Sequence, residues 1–440
     1  MWADTVLPWE HMAIEEPLAI DGGDPAVTID EPEGWERPID REKALVTDLL
    51  EEGAISGAGR GLPREFEREF REYTGAEYCV TVNHGSTALE SAFYSVGVGP
   101  GDEVITPTIG YIGAYAGALH LGARPVFCEI DPETLLPDPD DVEARITDRT
   151  AAIAVTHWNG RVCDMDALRE IGERYDVPIV EDAAHAHASR WRGEHIGSVG
   201  DIACYSLQGV VPHGKPLAGG EGGILTTNVR EYYERHLSYC HLHRSGVNDE
   251  LTREPYDCLD YELLGQKYRA HPLSLAIASV GLESLEYRSE RRLAYRDALF
   301  ERLEDVPGVR PVWPYEHSET DGLYGGLKVV VQPSELDASP AEFVAALEAE
   351  GAPVRGPGFS YVEHLRTIFR EGYDLWGRGR SPIQGEFCGL PPYEAYEEGD
   401  FPVSEDLHER VVTVGSYIEP EAGFVDQLAD AFEKVSRAHR

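Results

Sequence analysis

The sequence predicts an α/β protein in which a large domain with a mostly parallel, seven-stranded sheet is followed by a smaller α+β domain. From about residue 76, short β-branched runs alternate with helical stretches, which is typical of βαβ units on a parallel sheet. From about residue 288 the pattern changes to a charged helix, one strand and further helices. We expect an N-terminal arm over residues 1–40, a large domain over residues 41–287 and a small domain over residues 288–440.

The elements of the large domain follow from this alternation. The helix that begins at Met165 has Asp164 before it as an N-cap. Ligands on such sheets bind at the carboxyl ends of the strands. The predicted strands are Tyr78–Val82, Glu103–Pro107, Pro125–Ile130, Ala151–Thr156, Pro178–Glu181, Ile202–Ser206 and Gly223–Thr227, and the predicted helices between them are Thr87–Val96, Ile112–Leu121 and Met165–Tyr175.

The remaining segments give fewer elements. The small domain is predicted to contain a charged helix around Arg288–Arg296, a strand over Gly325–Val331, a helix over Pro340–Glu350 and a last amphipathic helix over Gly423–His439. Residues 1 to about 38, rich in proline, glycine and acidic side chains, predict an extended arm.

Charge is the strongest feature of the composition. The chain has 80 acidic residues against 38 arginines and lysines, a net charge of −42. Such a field repels nucleic acid and anionic membranes. Its self-repulsion is screened at high salt, because the Debye length shrinks to about 3 Å at 1 M. The composition therefore predicts a salt-rich cytoplasm and resembles that of proteins from extremely halophilic archaea.

Targeting, membrane and metal signals are weak throughout the chain. We find no apolar run long enough to cross a bilayer. The first residues lack a basic stretch and an apolar core, so we predict no signal peptide and a cytoplasmic location. Seven cysteines without CxxC pairs give neither a disulfide framework nor a zinc-ligand spacing. We therefore predict reduced thiols and no metal site.

Three segments near the ends of predicted strands carry the chemistry. In Asn83–Leu89 a glycine turn runs into a helix, whose free amides and dipole can hold a phosphate, although a plain N-cap is the more common explanation of such a segment taken alone. In Val177–His185 a buried strand ends in two carboxylates, of which Asp182 can pair with a protonated ring nitrogen; a metal-binding or strand-capping acid is the alternative. Lys215 precedes a glycine-rich turn and can form an imine with an aldehyde, unless it is an ordinary loop lysine.

In this order, these segments resemble the DegT/StrS type of sugar aminotransferase, a branch of the fold-type-I pyridoxal phosphate enzymes. The resemblance covers about residues 40–435. The opening Leu18–Val27 and the Ser206-Leu207-Gln208 segment resemble the glutamine-using scyllo-inosose branch. Further motifs of the family are Gly53–Gly57 with Phe66-Glu67, Gly99–Ile105, His157–Gly160 with Asp164-Met165, and Gly220–Gly223.

The resemblance implies a set of site residues around pyridoxal 5'-phosphate. Lys215 is the imine-forming lysine and proton carrier, and Asp182 is the partner of the ring nitrogen. The other implied contacts are the phosphate-binding Gly85 and Ser86, Tyr111 stacked on the ring, His185 near the phenolic oxygen, Ser206 donating to the phosphate, and Lys267.

Two departures from the family pattern concern lysines. Ser206 and Lys215 are further apart than in the usual family loop. Lys267 stands where the family usually has an asparagine that reaches the phosphate of the neighbouring subunit. An ammonium can serve the same dianion, so we expect Lys267 to contact phosphate across a homodimer interface. It is also the rival of Lys215 as imine former.

The implied activity is ping-pong transamination. The amino group passes from glutamate or glutamine to a keto-sugar or keto-cyclitol. One alternative is a nucleotide-sugar 3-dehydratase, in which a histidine replaces the lysine, and His213 is the candidate for that role. The other is a catalytically silent pyridoxal-phosphate-binding regulatory protein. The distance of Lys215 from the Gly220–Gly223 turn favours transamination over the dehydratase. The presence of both Asp182 and Lys215 favours it over the silent protein.

Overall fold

The computed structural model describes residues 17–32, 35–209, 215–254, 265–319, 324–359, 361–384 and 386–440. His213 and most of the longer loop before Lys215 lie outside this part of the chain. The strands within it are β1 (Tyr78–Val82), β2 (Glu103–Pro107), β3 (Arg124–Cys128), β4 (Thr150–Thr156), β5 (Ile179–Asp182), β6 (Arg190–Trp191), β7 (Glu194–His195), β8 (Ile202–Ser206), β9 (Gly223–Thr227), β10 (Val309–Pro311), β11 (Ser318–Glu319), β12 (Leu327–Val331), β13 (Val354–Arg355) and β14 (Val411–Val414).

Helices surround the sheets, and many of them begin or end at residues that favour such boundaries. Asp164 caps its helix as predicted, because its side chain accepts a hydrogen bond of 3.1 Å from the Ala167 amide. The described helices are α1 (Ile39–Glu51), α2 (Leu62–Thr74), α3 (Gly85–Val96), α4 (Gly113–Leu121), α5 (Pro139–Ala144), α6 (Met165–Tyr175), α7 (Arg230–Cys240), α8 (Val247–Glu250), α9 (Pro272–Leu282), α10 (Leu285–Leu303), α11 (Pro340–Ala349), α12 (Thr367–Arg370), α13 (Pro402–His408) and α14 (Phe424–Ala438).

The central sheet has seven strands in the order β1-β9-β8-β5-β4-β2-β3. Only β9 runs against the others, pairing antiparallel with both β1 and β8. The predicted α/β fold with a mostly parallel seven-stranded sheet is therefore confirmed. Because the parallel strands all end at the same edge, the residues that follow β1, β4, β5 and β8 meet there.

A second sheet has the order β10-β12-β14-β13 and lies in the C-terminal part of the chain. Its core joins Val329 and Val412 to Leu299 and Phe432 of the flanking helices. Helix α10 begins at residue 285, so it crosses the boundary predicted at residues 287 and 288. We propose that this sheet and its helices form the small domain, and the exact domain limits stay a prediction.

Residues of the predicted N-terminal arm pack on this second core. Leu18 and Val27 are buried within it. The Glu350 carboxylate accepts hydrogen bonds from the amides of Ala19 (2.7 Å) and Ala26 (2.9 Å). Lys434 donates to Glu350 at 2.8 Å, so this buried carboxylate ties the arm to both α11 and α14.

No described helix combines the length and the apolar composition needed to cross a membrane.

Candidate active site

The start of helix α3 packs closely against the last residue of β8 and the first residue of β9. A Cβ atom on Gly85 would lie 2.7 Å from the Cβ of Ser206, at the end of β8. A Cβ atom on Gly223, the first residue of β9, would lie 2.4 Å from the carbonyl oxygen of His84. Glycine is therefore required on both sides of this contact. The first backbone bond of the helix runs from the Ala88 amide to the His84 oxygen at 3.1 Å, so the amides of residues 85–87 precede the helical ladder.

Ser86 and Tyr111 meet beside this helix start. A Cβ atom on Gly113 would lie 3.1 Å from the Ser86 hydroxyl and 2.8 Å from the Tyr111 ring. The absence of a side chain at Gly113 thus lets the ring and the hydroxyl both approach the first turn of α4. Tyr111 is 63% exposed, and an exposed aromatic ring at a cleft can stack on a planar ligand.

The two carboxylates at the end of β5 lie on opposite faces of the sheet. Glu181 is fully buried, where it contacts His157 Nε2 at 3.0 Å and accepts a hydrogen bond of 3.0 Å from the Gly200 amide. Asp182 accepts a hydrogen bond of 3.1 Å from the Ala184 amide. Successive strand residues point to opposite faces, so Glu181 fastens the strand and Asp182 is left for a ligand at the carboxyl edge.

Burial and charge oppose each other at Asp182. Asp182 is only 5% exposed, and this burial raises the pKa of its carboxyl group above the usual value. The hydrogen bond from Ala184 and the positive charge of Lys215 act in the opposite direction. A cationic N–H group brought to Asp182 therefore stabilises its ionised form.

Lys215 lies at the same edge and is partly buried. Its Nζ is 6.0 Å from the centre of the Tyr324 ring. Burial lowers the pKa of the Lys215 ammonium, while the negative charges of Asp182 and Glu221 oppose that shift. A lowered pKa increases the fraction of neutral amine, which is the nucleophile and the base.

His185 completes the cluster and contacts the same tyrosine. The two rings lie 4.4 Å apart between centres. Burial, and then the charge of Lys215, hold the pKa of His185 well below its usual value. The imidazole is therefore neutral and can donate one hydrogen bond and accept another.

Lys267 has no described contact with the other predicted site residues of this chain. Its side chain is exposed, in the segment before α9 that pairs with the end of β1. The Asn83 amide donates to the Tyr268 carbonyl at 2.7 Å, and Arg269 bridges to Val82. Lys267 thus lies near the segment leading to α3, without a described contact to Lys215.

Sequence reasoning missed Tyr324, which contacts both Lys215 and His185. It belongs to a turn, Tyr324-Gly325-Gly326, that precedes β12 of the second sheet. No periodic pattern or motif links this turn to the carboxyl edge of the central sheet. Glu221 was also given no role, although its side chain contacts His84 at 3.1 Å and its charge acts on Lys215.

Comparison with known proteins decides the family. Residues 38–368 match the sequence model of the DegT/DnrJ/EryC1/StrS aminotransferase family. The chain belongs to this family. It is an aminotransferase, as its named relatives are, and its resemblance to the DegT/StrS type is confirmed.

Relatives of this family match nearly the whole chain. The L-glutamine:2-deoxy-scyllo-inosose aminotransferase of Streptomyces fradiae is 40% identical over 441 residues, covering 96% of this chain and 98% of its own. The enzyme of the same name from Streptomyces paromomycinus is 32% identical, covering 96% and 97%. The aminotransferase structure from Psychrobacter cryohalolentis is 23% identical with a TM-score of 0.77, covering 93% and 99%, and supports the fold.

DegT-family aminotransferases use pyridoxal phosphate, and the residues at the carboxyl edge fit this cofactor. The amides of residues 85–87 at the start of α3 precede the helical ladder, and such a helix start can bind a phosphate. Asp182 is a buried carboxylate suited to a protonated ring nitrogen, and Lys215 supplies an amine beside it. Anion cradle, carboxylate and amine are the three groups that this cofactor needs.

Proposed function

We propose that this chain transfers the α-amino group of L-glutamine to a ketone of a cyclitol, using pyridoxal phosphate attached to Lys215. The supporting observation for the substrates is the identity of 40% over nearly the whole chain with an enzyme named for L-glutamine and 2-deoxy-scyllo-inosose. Lys215 and Asp182, which carry the proposed chemistry, lie together at the carboxyl edge. L-Glutamate and a keto-sugar are the other donor and acceptor that the family's chemistry allows.

Each residue of the carboxyl edge has a proposed task. When bound, pyridoxal phosphate supplies an aldehyde for the amino group and a ring that withdraws electrons from the carbon losing its proton. Lys215, released by the incoming amine, would take the proton from the donor's α-carbon and deliver it to the carbon that was the aldehyde of the cofactor. In the second half of the reaction it would move a proton in the opposite direction, onto the acceptor carbon. Asp182 holds a negative charge next to the ring nitrogen. His185, neutral at its lowered pKa, offers a hydrogen bond to the phenolic oxygen.

The remaining residues position the cofactor. We propose that Gly85 and Ser86 bind the phosphate through backbone and hydroxyl, with Ser206 donating from the neighbouring strand end. Tyr111 covers one face of the ring and excludes water from it. Tyr324, in contact with both Lys215 and His185, limits the directions in which the freed amine can move.

Isotope transfer tests the proposed donor and acceptor. The holoenzyme in high salt is given 2-deoxy-scyllo-inosose with glutamine labelled with ¹⁵N at either the α-amino or the amide position. We expect ¹⁵N in the aminated cyclitol only from the α-amino label, and no product from Lys215→Ala. Label from the amide position would contradict transamination. Amination of nucleotide keto-sugars but not of the cyclitol would contradict the acceptor.

We also propose a homodimer in which Lys267 reaches the phosphate of the partner's site. Lys267 is exposed and contacts no other predicted site residue of its own chain, which supports a role across an interface. Mixing inactive Lys215→Ala and Lys267→Ala subunits tests this. Shared sites restore up to about a quarter of wild-type activity, because each mixed dimer contains one intact site. No recovery on mixing, with dimers present, would contradict it.

We propose that the enzyme works in the salt-rich cytoplasm of a halophilic organism. The net charge of −42 supports the high-salt setting. The six cysteines of the described residues are free thiols, five of them buried, which suits a reducing compartment.

A further inference from the structure

A small cavity behind the Tyr324 turn has three cationic side chains in its lining. Arg161 is 3% exposed and Lys328 is 7% exposed, and both lie over the Trp158 ring, at 5.4 and 5.1 Å from its centre. Arg296 reaches the same cavity from α10. Asn159, Phe300 and Leu327 complete most of its wall, and the described lining contains no carboxylate.

Several donors at this cavity lack a partner among the described residues. Arg161 donates from Nη1 to the Thr134 carbonyl, but its buried Nε and Nη2 have no hydrogen bond. Arg296 pairs with Asp297 through Nε and Nη2, and its buried Nη1 has none. Lys328 donates to the Gly325 carbonyl and the Thr413 hydroxyl, and its ammonium form has a third proton to donate.

Burying Arg161 and Lys328 without a counter-charge is unfavourable. Burial lowers the pKa of Arg161 to about 9 and that of Lys328 well below its usual value, and Arg161 adds to the shift at Lys328. Buried charges in proteins are normally paired. Arg161 and Lys328 have no carboxylate in the described lining of the cavity, whereas Arg296 has Asp297 as its ion-pair partner. In a chain with 80 acidic residues, two buried cations left without a carboxylate point to a bound ion as the source of negative charge.

We propose that this cavity binds a single small monovalent anion, chloride, between Arg161, Arg296 and Lys328. The cavity offers about 10 Å³ to the centre of a water-sized particle, close to the room that one such particle needs. Phosphate and acetate each have four or more atoms besides hydrogen, and so need more room than one such particle. A water molecule fits less well than an anion, because the unpaired groups are all donors and an anion accepts from every direction.

The anion site adjoins the active site without sharing its predicted residues. Lys328 donates to the Gly325 carbonyl at 3.0 Å, and Asn159 donates to the Gly326 carbonyl at 3.2 Å. These bonds hold the turn that carries Tyr324. Chloride therefore stabilises the position of the ring that contacts Lys215.

Bromide is the direct probe of this site. Crystals of the holoenzyme grown in bromide are expected to show an anomalous peak within hydrogen-bonding distance of Arg161 Nε and Nη2. The peak disappears in Arg161→Gln and remains in Arg174→Gln, a matched change at an exposed arginine. Density for water alone in the wild-type cavity would overturn the proposal, as would a peak that persists in Arg161→Gln.

Thermal unfolding gives an independent readout in solution. At equal ionic strength, the wild-type Tm is expected to be higher in potassium chloride than in potassium acetate, with a saturable dependence on chloride. Lys328→Met weakens chloride binding by about tenfold or more, as expected for a lost charged hydrogen bond, whereas Lys43→Met on the exposed surface of α1 leaves it unchanged. Equal wild-type Tm values in the two salts would overturn the proposal even if Arg161→Gln fails to fold.

Discussion

At the scale of single residues, the environment of each carboxylate decides what it does. Glu181 is fully buried and contacts His157 and the Gly200 amide. Asp182 faces the carboxyl edge, where one amide and the charge of Lys215 are its partners. Strand alternation explains this division, and the sequence alone could not weigh it against a metal-binding or capping acid, because it does not show which face a ligand approaches.

The first prediction concerns Asp182→Asn. An amide cannot hold a negative charge at the ring nitrogen, so we expect kcat to fall by about 100-fold or more. The pKa of Asp182 in the folded protein is raised, so its contribution to stability is present below the unfolded pKa and is lost as pH rises through the folded pKa. Asparagine does not ionise, so the variant avoids the unfavourable ionisation of a buried carboxyl group. Its free energy of unfolding at pH 7 should therefore not fall below that of the wild type.

Steady-state kinetics of the holoenzyme check the fall in kcat, and denaturant unfolding of the apoprotein checks the free energy of unfolding. A variant with both low activity and a large loss of stability would indicate that Asp182 is structural rather than catalytic.

At the scale of elements, the sequence predicted the strands of the regular strand–helix alternation and missed helix α2 and the turn that carries Tyr324. Strands β1, β2, β8 and β9 occur at the predicted residues, because alternating β-branched runs between helices determine them locally. Helix α2 was not predicted, although Phe66 and Phe70, both fully buried, have the spacing of one helical face. Tyr324 was not predictable, since its contact with Lys215 depends on how the second sheet packs against the first.

Gly85→Ala tests the seating of helix α3. The added Cβ would lie 2.7 Å from that of Ser206, so the helix start or the end of β8 must shift. We expect the affinity for pyridoxal phosphate, measured by fluorescence titration, to fall by about tenfold or more, and stability to fall by about 1–3 kcal/mol. Gly99→Ala is the control, since its Cβ would meet only Asp102 at 4.0 Å. Equal cofactor affinity in the two variants would show that the close approach is unimportant.

A buried ion pair joins α2 to the chain after α7. Arg244 donates to Glu67 at 2.9 Å, and Glu67 also accepts from the Thr81 amide at 2.9 Å. In Glu67→Gln the guanidinium of Arg244 is left buried without a counter-charge, so we expect the free energy of unfolding to fall by about 3–5 kcal/mol. Glu69→Gln, at a largely exposed position, should change it by less than about 0.5 kcal/mol. Similar losses in urea unfolding for both variants would contradict this role of the pair.

At the scale of the whole molecule, net charge and bound ions act differently on stability. The field of −42 charges is screened by any salt, whereas the proposed anion site responds only to ions that fit. Composition predicted the first effect, because charge is counted from the sequence. It could not predict the second, which depends on cations from distant segments, Arg161, Arg296 and Lys328, meeting at one cavity.

We therefore predict that the Tm rises with the concentration of potassium acetate, whose anion is larger than the chloride proposed for the cavity. The expected rise between 0.1 M and 2 M salt is on the order of 10 °C, as self-repulsion is screened. Differential scanning calorimetry measures it. A Tm that does not change or falls with acetate would contradict adaptation to high salt.

The most direct test of the central claim is to locate the lysine that carries the cofactor. The holoenzyme in high salt is reduced with borohydride, digested and analysed by mass spectrometry. With only five lysines in the chain, at positions 43, 215, 267, 328 and 434, the assignment has few alternatives. We predict pyridoxyl modification on Lys215 alone. Modification on Lys267, or cofactor retained without a modified lysine, would contradict the assignment of Lys215.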